Sequence, residues 1–320
     1  MDISTLAAYV ADEAKATELV EKKLWPNGPV CPFCGATDRI SRLTGVRTKK
    51  TKKNPDGVER HGLWKCYHCR KQFTVRVGTI FEDSHIPLSK WLFAIYMMCS
   101  SKKGISANQL MRALNISYRS AWFMCHRVRE AMSQQPLRGM LGSGGDQIVE
   151  IDETFIGGKA KNNLHKNRTN KAGKKIAVMT LVDREGDART FVVPNTKKGT
   201  LQTIARPLID GGANIVTDSH LGYSGIKKHF RSHHTVDHSK EFVRAIIFHT
   251  NFAESYHSLL KRGLIGTFHH VSEQHLPAYL REFEFRWNSR KVSDSDRTDS
   301  AIRGARGKRL MYRRPVAHAS

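Results

Sequence analysis

Three acidic residues occupy positions where a carboxylate needs a reason. Asp152 lies inside the apolar run from Gln147 to Ile156, where a charge is costly unless it is paired or binds a metal. Asp218 ends a second apolar run, Ile215-Val216-Thr217-Asp218, and strand ends at a sheet edge are where α/β sites collect. Glu254 falls in the first turn of the helical stretch that begins at Asn251. Together these acids suit a carboxylate site for two metal ions, which clamps Mg²⁺ or Mn²⁺ on both sides of a scissile phosphate. Lys261 follows Glu254 by about two helical turns and so shares its face, within reach of a phosphate beside the metals. Each residue also has an ordinary reading. Asp152 adjoins Glu150 and Glu153, Asp218 precedes a turn through Ser219 to Gly222, Glu254 has capping-box spacing from Asn251, and Lys261 fits a solvated lysine.

A different metal chemistry is written in the cysteines. Cys31-Pro-Phe-Cys34 and Cys66-Tyr-His-Cys69 are paired C-x-x-C knuckles. Such spacing lets both sulfurs of a pair reach one tetrahedral ion, and four thiolates suit Zn²⁺ in a closed structural site. The alternative is two unrelated pairs or a redox pair. His61 and His68 are rival ligands by position, but four cysteines already complete the tetrahedron. The long gap between the knuckles holds Arg47, Lys49, Lys50, Lys52 and Lys53 and reads as a basic hairpin tip. The zinc is a fold staple rather than a catalyst.

The elements that must position these residues follow in order. Residues 1–27 read as a short helical segment and 28–80 as the zinc-bearing ribbon. Residues 85–135 read as three helices, with Ser106 and Ser117 as N-caps. The tight turn at Asn115 and Ile116 makes the last two a helix-turn-helix that presents Tyr118 and Arg119 to a DNA major groove; a generic helical bundle is the alternative. Residues 146–290 alternate strands and helices, which implies a mixed α/β sheet covered by helices. Residues 291–320 read as a basic, flexible tail. Between the first two strands, Gly157 to Lys175 carries Lys159 and Lys161 among other cations and no acid. That loop is suited to gripping a DNA backbone, with Arg262 beside Lys261 as a further DNA contact.

Composition narrows the partner. The 320 residues hold 53 Lys and Arg against 29 Asp and Glu, a net charge of +24. So basic a chain points to a polyanion, nucleic acid above all, with a membrane surface as the weaker alternative. A hydrophobic fraction of 39% excludes a wholly disordered chain. The acidic first residues do not suit a signal peptide, and the longest apolar run, Trp91 to Cys99, is too short to span a bilayer. Reduced cysteines and the absence of a leader place the chain in a cytoplasmic, nucleoid-associated setting without a membrane.

The chain also resembles a known family. The blocks that carry the resemblance are both knuckles, Gly78-Thr79-Ile80-Phe81, His85-Ile86-Pro87-Leu88 with Lys90-Trp91, and Val149 to Lys159 around Asp152. Thr217-Asp218 with Gly222-Tyr223 follows, then His249-Thr250-Asn251-Phe-Ala-Glu254-Ser255 running into Leu259-Leu260-Lys261-Arg262-Gly263. In that order they are similar to insertion-sequence transposases of the Asp-Asp-Glu superfamily, in the group with an N-terminal zinc ribbon. The resemblance spans roughly residues 15–290. It implies a ribonuclease H-like catalytic domain, with Asp152 and Asp218 as the aspartates, Glu254 as the third acid and Lys261 as the lysine. It further implies Mg²⁺, double-stranded DNA bearing terminal inverted repeats, target DNA, and a homo-oligomer, dimer or higher, on that DNA. Some members use Asn as the third residue, so Asn251 stands as the rival to Glu254. A DNA-binding regulator derived from a transposase and lacking chemistry is the alternative function. A zinc-bearing nuclease acting on RNA or branched DNA is another.

Overall fold

The structure is a computed structural model and describes residues 3–52, 54–133, 139–144, 146–157, 175–184, 186–236 and 248–311. The chain divides into two compact units. One joins Met1–Ser133 to Val292–Ser320, and the other is Gln134–Lys291.

The first unit opens with helices α1 (Ile3–Val10) and α2 (Glu13–Leu24). Asp12 starts α2 by accepting the Ala14 and Lys15 N–H groups, which an N-cap aspartate does in place of water. Ala16, Val20 and Leu24 form its buried stripe. A small antiparallel sheet follows, in the order β1 (Ile40–Leu43), β2 (Leu63–Cys66), β3 (Gln72–Phe73). Trp25, at the end of α2, packs edge-on against Trp64 and Phe73, with ring centroids 6.2 and 5.9 Å apart. The Trp64 indole donates to Glu21 at 2.8 Å.

Helices α3 (Leu88–Ser100), α4 (Ala107–Leu114) and α5 (Tyr118–Met132) match the expected helical segment. Ser106 and Ser117 accept the Gln109 and Ser120 N–H groups, so both serve as the N-caps their position suggested. Asn115 ends α4 in the left-handed region at φ 49°, a conformation Asn tolerates better than most residues. The result is a helix, a tight turn and a second helix. Helix α3 lacks a local cap, because Pro87 has no side-chain donor or acceptor. The Glu13 carboxylate supplies one instead, accepting the Leu88 and Ser89 N–H groups at 2.7 and 2.9 Å.

The second unit is a three-layer α/β domain. Its five strands are β4 (Ile148–Ile156), β5 (Ile176–Asp183), β6 (Ala188–Val193), β7 (Asn214–Asp218) and β8 (Ser232–Val236). They lie in the order β6-β5-β4-β7-β8. The first three pair antiparallel, and β7 and β8 add in parallel to β4. This is the ribonuclease H-like mixed sheet that the resemblance implied. Helix α6 (Lys198–Ala205) and the 3₁₀ turns Leu221–Tyr223 and Ile226–His229 cover one face over Val149, Ile151, Met179, Leu181 and Ile215. Helices α7 (Asn251–Gly263) and α8 (Leu276–Asn288) cover the other over Val178 and Val182. Strand β8 was not foreseen. Its sequence Ser232-His-His-Thr-Val236 is polar, and it lies at the sheet edge, where half-buried strands need no apolar run.

Of the expected tail, residues 291–311 are described, and they are not flexible coil throughout; residues 312–320 lie outside the described residues. Asp294–Arg303 form helix α9, capped by Ser293 and carrying Asp294 and Asp296 in the first turn. Its apolar residues Ala301 and Ile302 are fully buried, and it packs on α2, α3 and α5 of the first unit. Lys23 of α2 pairs with Asp299. The three aspartates hid the helix, because its apolar stripe is only a few residues wide. Among the described residues, no helix is long and apolar enough to cross a membrane.

Candidate functional site

The four knuckle cysteines converge. Cys31 and Cys69 sulfurs lie 3.6 Å apart, Cys34 and Cys66 sulfurs 3.7 Å apart, and all four lie within 4.8 Å of one another. Tetrahedral thiolates about 2.3 Å from a zinc ion stand about 3.8 Å apart, so this donor set fits Zn²⁺. Each knuckle turns as that geometry requires. Gly35 adopts φ 75° and donates to the Cys31 carbonyl at 2.9 Å, and Cys66 donates to the Lys71 carbonyl at 3.0 Å. His68 turns away to Asp38 at 3.0 Å, and His61 lies 4.0 Å from Glu59, so neither rival histidine joins the cluster.

The carboxylates are arranged by the large sheet. Strands β4 and β7 run parallel, with Ile151 opposite Thr217 as their last paired residues. One step further, Asp152 stands level with Asp218. The alternation of the pleat sends Glu150 and Asp152 to the face covered by α7, while Val149 and Ile151 face α6. Asp218 closes β7 and accepts the His220 N–H at 3.0 Å, which starts the turn beyond the strand. The turn is tight at Gly222, where a Cβ would come within 2.9 Å of the Thr196 carbonyl oxygen. Glycine is the residue such a close approach admits.

Helix α7 brings the remaining predicted residues. Glu254 sits in its first turn, exposed, and accepts from the Thr250 hydroxyl at 3.3 Å. Asn251 is the first residue of the helix and is also exposed. Thr250 precedes the helix without capping its backbone, so the Asn251-Glu254 spacing does not form a capping box. Lys261 and Arg262 lie exposed in the last turn. Among the described residues, no three carboxylates have oxygens within 4.8 Å of one another. In the first unit, Tyr118 is 50% exposed and Arg119 is exposed at the start of α5. Lys159 and Lys161 fall outside the described residues.

Several residues of the site carried no distinct signal in the sequence. Glu150, fully buried, accepts the Phe252 and Ala253 N–H groups at 2.8 and 3.0 Å and so caps α7 from the sheet. Arg184 donates to the same carboxylate at 2.8 Å, and His249 lies 3.2 Å from it. Burial pushes the Glu150 carboxyl up from its ordinary range, and the Ala253 N–H, Arg184 and His249 pull it back. Glu153 points to the opposite face and accepts from the Tyr223 hydroxyl. Burial raises its carboxyl to about 7, opposed by the Tyr223 hydrogen bond and reinforced by Asp218 and Asp152. His257 of α7 lies 3.3 Å from Asp152 through Nδ1 and 2.9 Å from the Thr180 hydroxyl through Nε2. His233 of β8 meets the buried Thr217 hydroxyl behind Asp218 at 2.9 Å. The signal that existed was the Glu254-x-x-His257 spacing, which puts an acid and an imidazole on adjoining turns.

Two segments of the chain match known family models. Residues 143–288 match the ISXO2-like transposase domain, and residues 11–72 match the transposase zinc-ribbon domain. A protein of Halobacterium salinarum described as an uncharacterized protein in transposable element ISH50 is 27% identical over 290 residues, covering 86% of this chain and 90% of that protein. An uncharacterized transposase-like protein of Haemophilus influenzae is 28% identical over 103 residues, covering 32% of this chain and 82% of that protein. Among solved structures, the Mos1 strand transfer complex aligns at 12% identity over 69% of this chain and 79% of that chain, with a TM-score of 0.28. The Mos1 transposase paired-end complex with left transposon end aligns at 14% identity over 67% and 74%, also at 0.28.

Proposed function

This chain belongs to the insertion-sequence transposases that join a zinc ribbon to an ISXO2-like transposase domain, and we propose that it cuts and joins double-stranded DNA at the ends of its element. The observation that carries the reading is the placement of Asp152, midway along β4, one step beyond the last paired residues and level with Asp218 at the end of the parallel strand β7, on the sheet face covered by α7. A pair of carboxylates at one strand edge fits hard cations that take oxygen ligands, as Mg²⁺ and Mn²⁺ do. When bound, two such ions would activate water or a 3′-hydroxyl and stabilise the attacking and leaving oxygens of an in-line displacement.

The chain's own residues do the rest. Asp152 and Asp218 hold the cations, with Glu254, or Asn251 in its place, completing the set from α7. Lys261 and Arg262, on the last turn of the same helix, meet the phosphates that flank the reacting one. No nucleophilic Ser or Cys is required, since the entering groups are water and then the freed DNA end. Tyr118 and Arg119 at the start of α5 contact the terminal repeat, and Lys159 and Lys161 grip the backbone beside the site. The protein acts as a homo-oligomer on DNA in the cytoplasm, at the nucleoid.

The test is a cleavage and strand-transfer assay on DNA from the element's own ends, with Mg²⁺ or Mn²⁺. Asp218→Asn is expected to bind the ends with unchanged affinity and to lose cleavage by at least about 10³-fold, the scale at which a lost charge-stabilising group is felt. Cleavage by that variant at the wild-type rate would overturn the site.

A further inference from the structure

We propose that His257 is the positioning residue of the carboxylate site: its imidazole fixes the Asp152 carboxylate for the cation without itself binding the cation. The inference rests on the proposed site, and its subject is a residue to which that reading gives no part.

The geometry is a short relay across two strands. Asp152 of β4 and Thr180 of β5 are cross-strand partners, so their side chains rise from the same face side by side. His257 lies over this pair and is 6% exposed. Its Nε2 is 2.9 Å from the Thr180 hydroxyl, which is fully buried, and its Nδ1 is 3.3 Å from Asp152 Oδ2. A hydroxyl donating to Nε2 leaves the ring proton on Nδ1, the nitrogen in ion-pair contact with Asp152. With Nε2 accepting and Nδ1 protonated, neither ring nitrogen keeps a lone pair for an ion. The other oxygen, Asp152 Oδ1, accepts the Glu153 N–H at 2.8 Å. The carboxylate plane is therefore held from both ends while each oxygen keeps a lone pair free.

The helix that carries His257 is itself anchored. Glu150 accepts two N–H groups at the start of α7 from a position two residues before Asp152 on the same strand. One strand thus fixes the height of the helix through Glu150, and the helix returns to fix Asp152 through His257. Helix α7 is already held to the sheet by Glu150 and by the buried Ala253, Tyr256 and Leu260. A buried histidine bridging a hydroxyl and a half-buried acid has a cost in desolvated polar groups that docking alone does not require. Partners that orient a metal-binding carboxylate change metal affinity by about 10–100-fold when removed.

The test uses the zinc-loaded, full-length chain without DNA, titrated with Mn²⁺ and followed by electron paramagnetic resonance. His257→Ala is expected to weaken Mn²⁺ binding by about 10–100-fold. His257→Asn, which keeps an N–H near the Nδ1 position, is expected to restore most of that affinity, while His257→Gln, whose amide reaches the Nε2 position, is not. Thr180→Val, nearly isosteric, is expected to weaken binding in the same direction and covers the case in which His257→Ala does not fold. Equal Mn²⁺ affinity in wild type, His257→Ala and Thr180→Val would overturn the proposal. So would equal rescue by Asn and Gln, as a merely space-filling residue would give. A histidine nitrogen hyperfine coupling on bound Mn²⁺ that disappears in His257→Ala would make His257 a ligand and overturn it as well. Asp152→Asn separates the two readings: if it leaves Mn²⁺ binding intact, the carboxylate site itself fails, whereas its loss beside intact His257 variants refutes only the relay.

Discussion

Buried acids with different partners behave differently in this protein. Glu150 accepts from two backbone N–H groups and from Arg184, with His249 3.2 Å away. Glu150→Ala would leave these donors facing a cavity, and removing one member of a buried charged network costs about 3–5 kcal/mol. Thermal unfolding should show that loss, and Glu150→Gln should recover part of it by keeping an acceptor. Glu284 of α8 accepts from the Thr190 N–H and hydroxyl. Burial nevertheless holds its carboxyl at about 7 against an ordinary 4.5. The native state then keeps a proton that the unfolded chain releases, so stability declines as pH rises from about 4.5 to about 7 and levels off above. The part of the decline due to Glu284 should be on the order of 2 kcal/mol and should be removed in Glu284→Gln, leaving the parallel contribution of Glu153, as denaturant titrations at pH 5 and pH 8 would show.

At the scale of elements, α3 and α7 begin without a cap of their own and borrow one. Pro87 cannot cap α3 with a side chain and Thr250 does not cap α7. A distant carboxylate does so in each case, Glu13 for α3 and Glu150 for α7. A carboxylate at a helix N-terminus satisfies free N–H groups and favours the macrodipole. Glu13→Ala should therefore destabilise the first unit by about 1–3 kcal/mol, with hydrogen exchange rising first at Leu88 and Ser89. The ribbon depends on its metal in a comparable way. Its sheet has strands of two to four residues, and its apolar cluster is built largely from the cysteines, Phe73 and two tryptophans. So small a core does not hold without a staple. Chelation of zinc should raise hydrogen exchange across 28–73 while β4 to β8 stay protected. Helix α9 adds a further test: Ile302→Ala, at a fully buried position, should cost the first unit about 2–4 kcal/mol.

Over the whole molecule, the charge of +24 would govern the approach to the proposed DNA partner. Neutralising six or more phosphates makes affinity fall by about 10³-fold or more between 50 and 200 mM salt. Filter binding or anisotropy across that range should show it for both element ends and unrelated duplex, with the ends tighter throughout. Replacing Arg119 by Ala should reduce the preference for ends over unrelated duplex by about 10-fold, the size of one lost base contact, and should leave the salt slope nearly unchanged. Lys261→Ala should act the other way, lowering cleavage and reducing the slope by about one unit while preserving the preference.

The sequence by itself determined whatever depends on local spacing. Two C-x-x-C knuckles define a zinc site because the turn between paired thiolates is a local matter. The apolar run Gln147–Ile156, the N-caps Ser106 and Ser117 and the helical stretch from Asn251 placed β4 and the starts of α4, α5 and α7 within a residue or two, and the two aspartates stood out as candidates because a carboxylate in an apolar strand is a local contradiction. Tertiary structure decided what depends on partners distant in the chain. Asp152 comes level with Asp218 only through the parallel pairing of β4 with β7, and Glu150 becomes a cap only when α7 lands on it. His257 reads as an ordinary helix residue until the register of β4 and β5 places Asp152 and Thr180 beneath its ring. Helix α9 is polar enough to pass for a tail, and its few apolar residues acquire meaning only against α3. In each of these cases the residue types were visible, but the burial and hydrogen bonds that give them a role are properties of neighbours far along the chain.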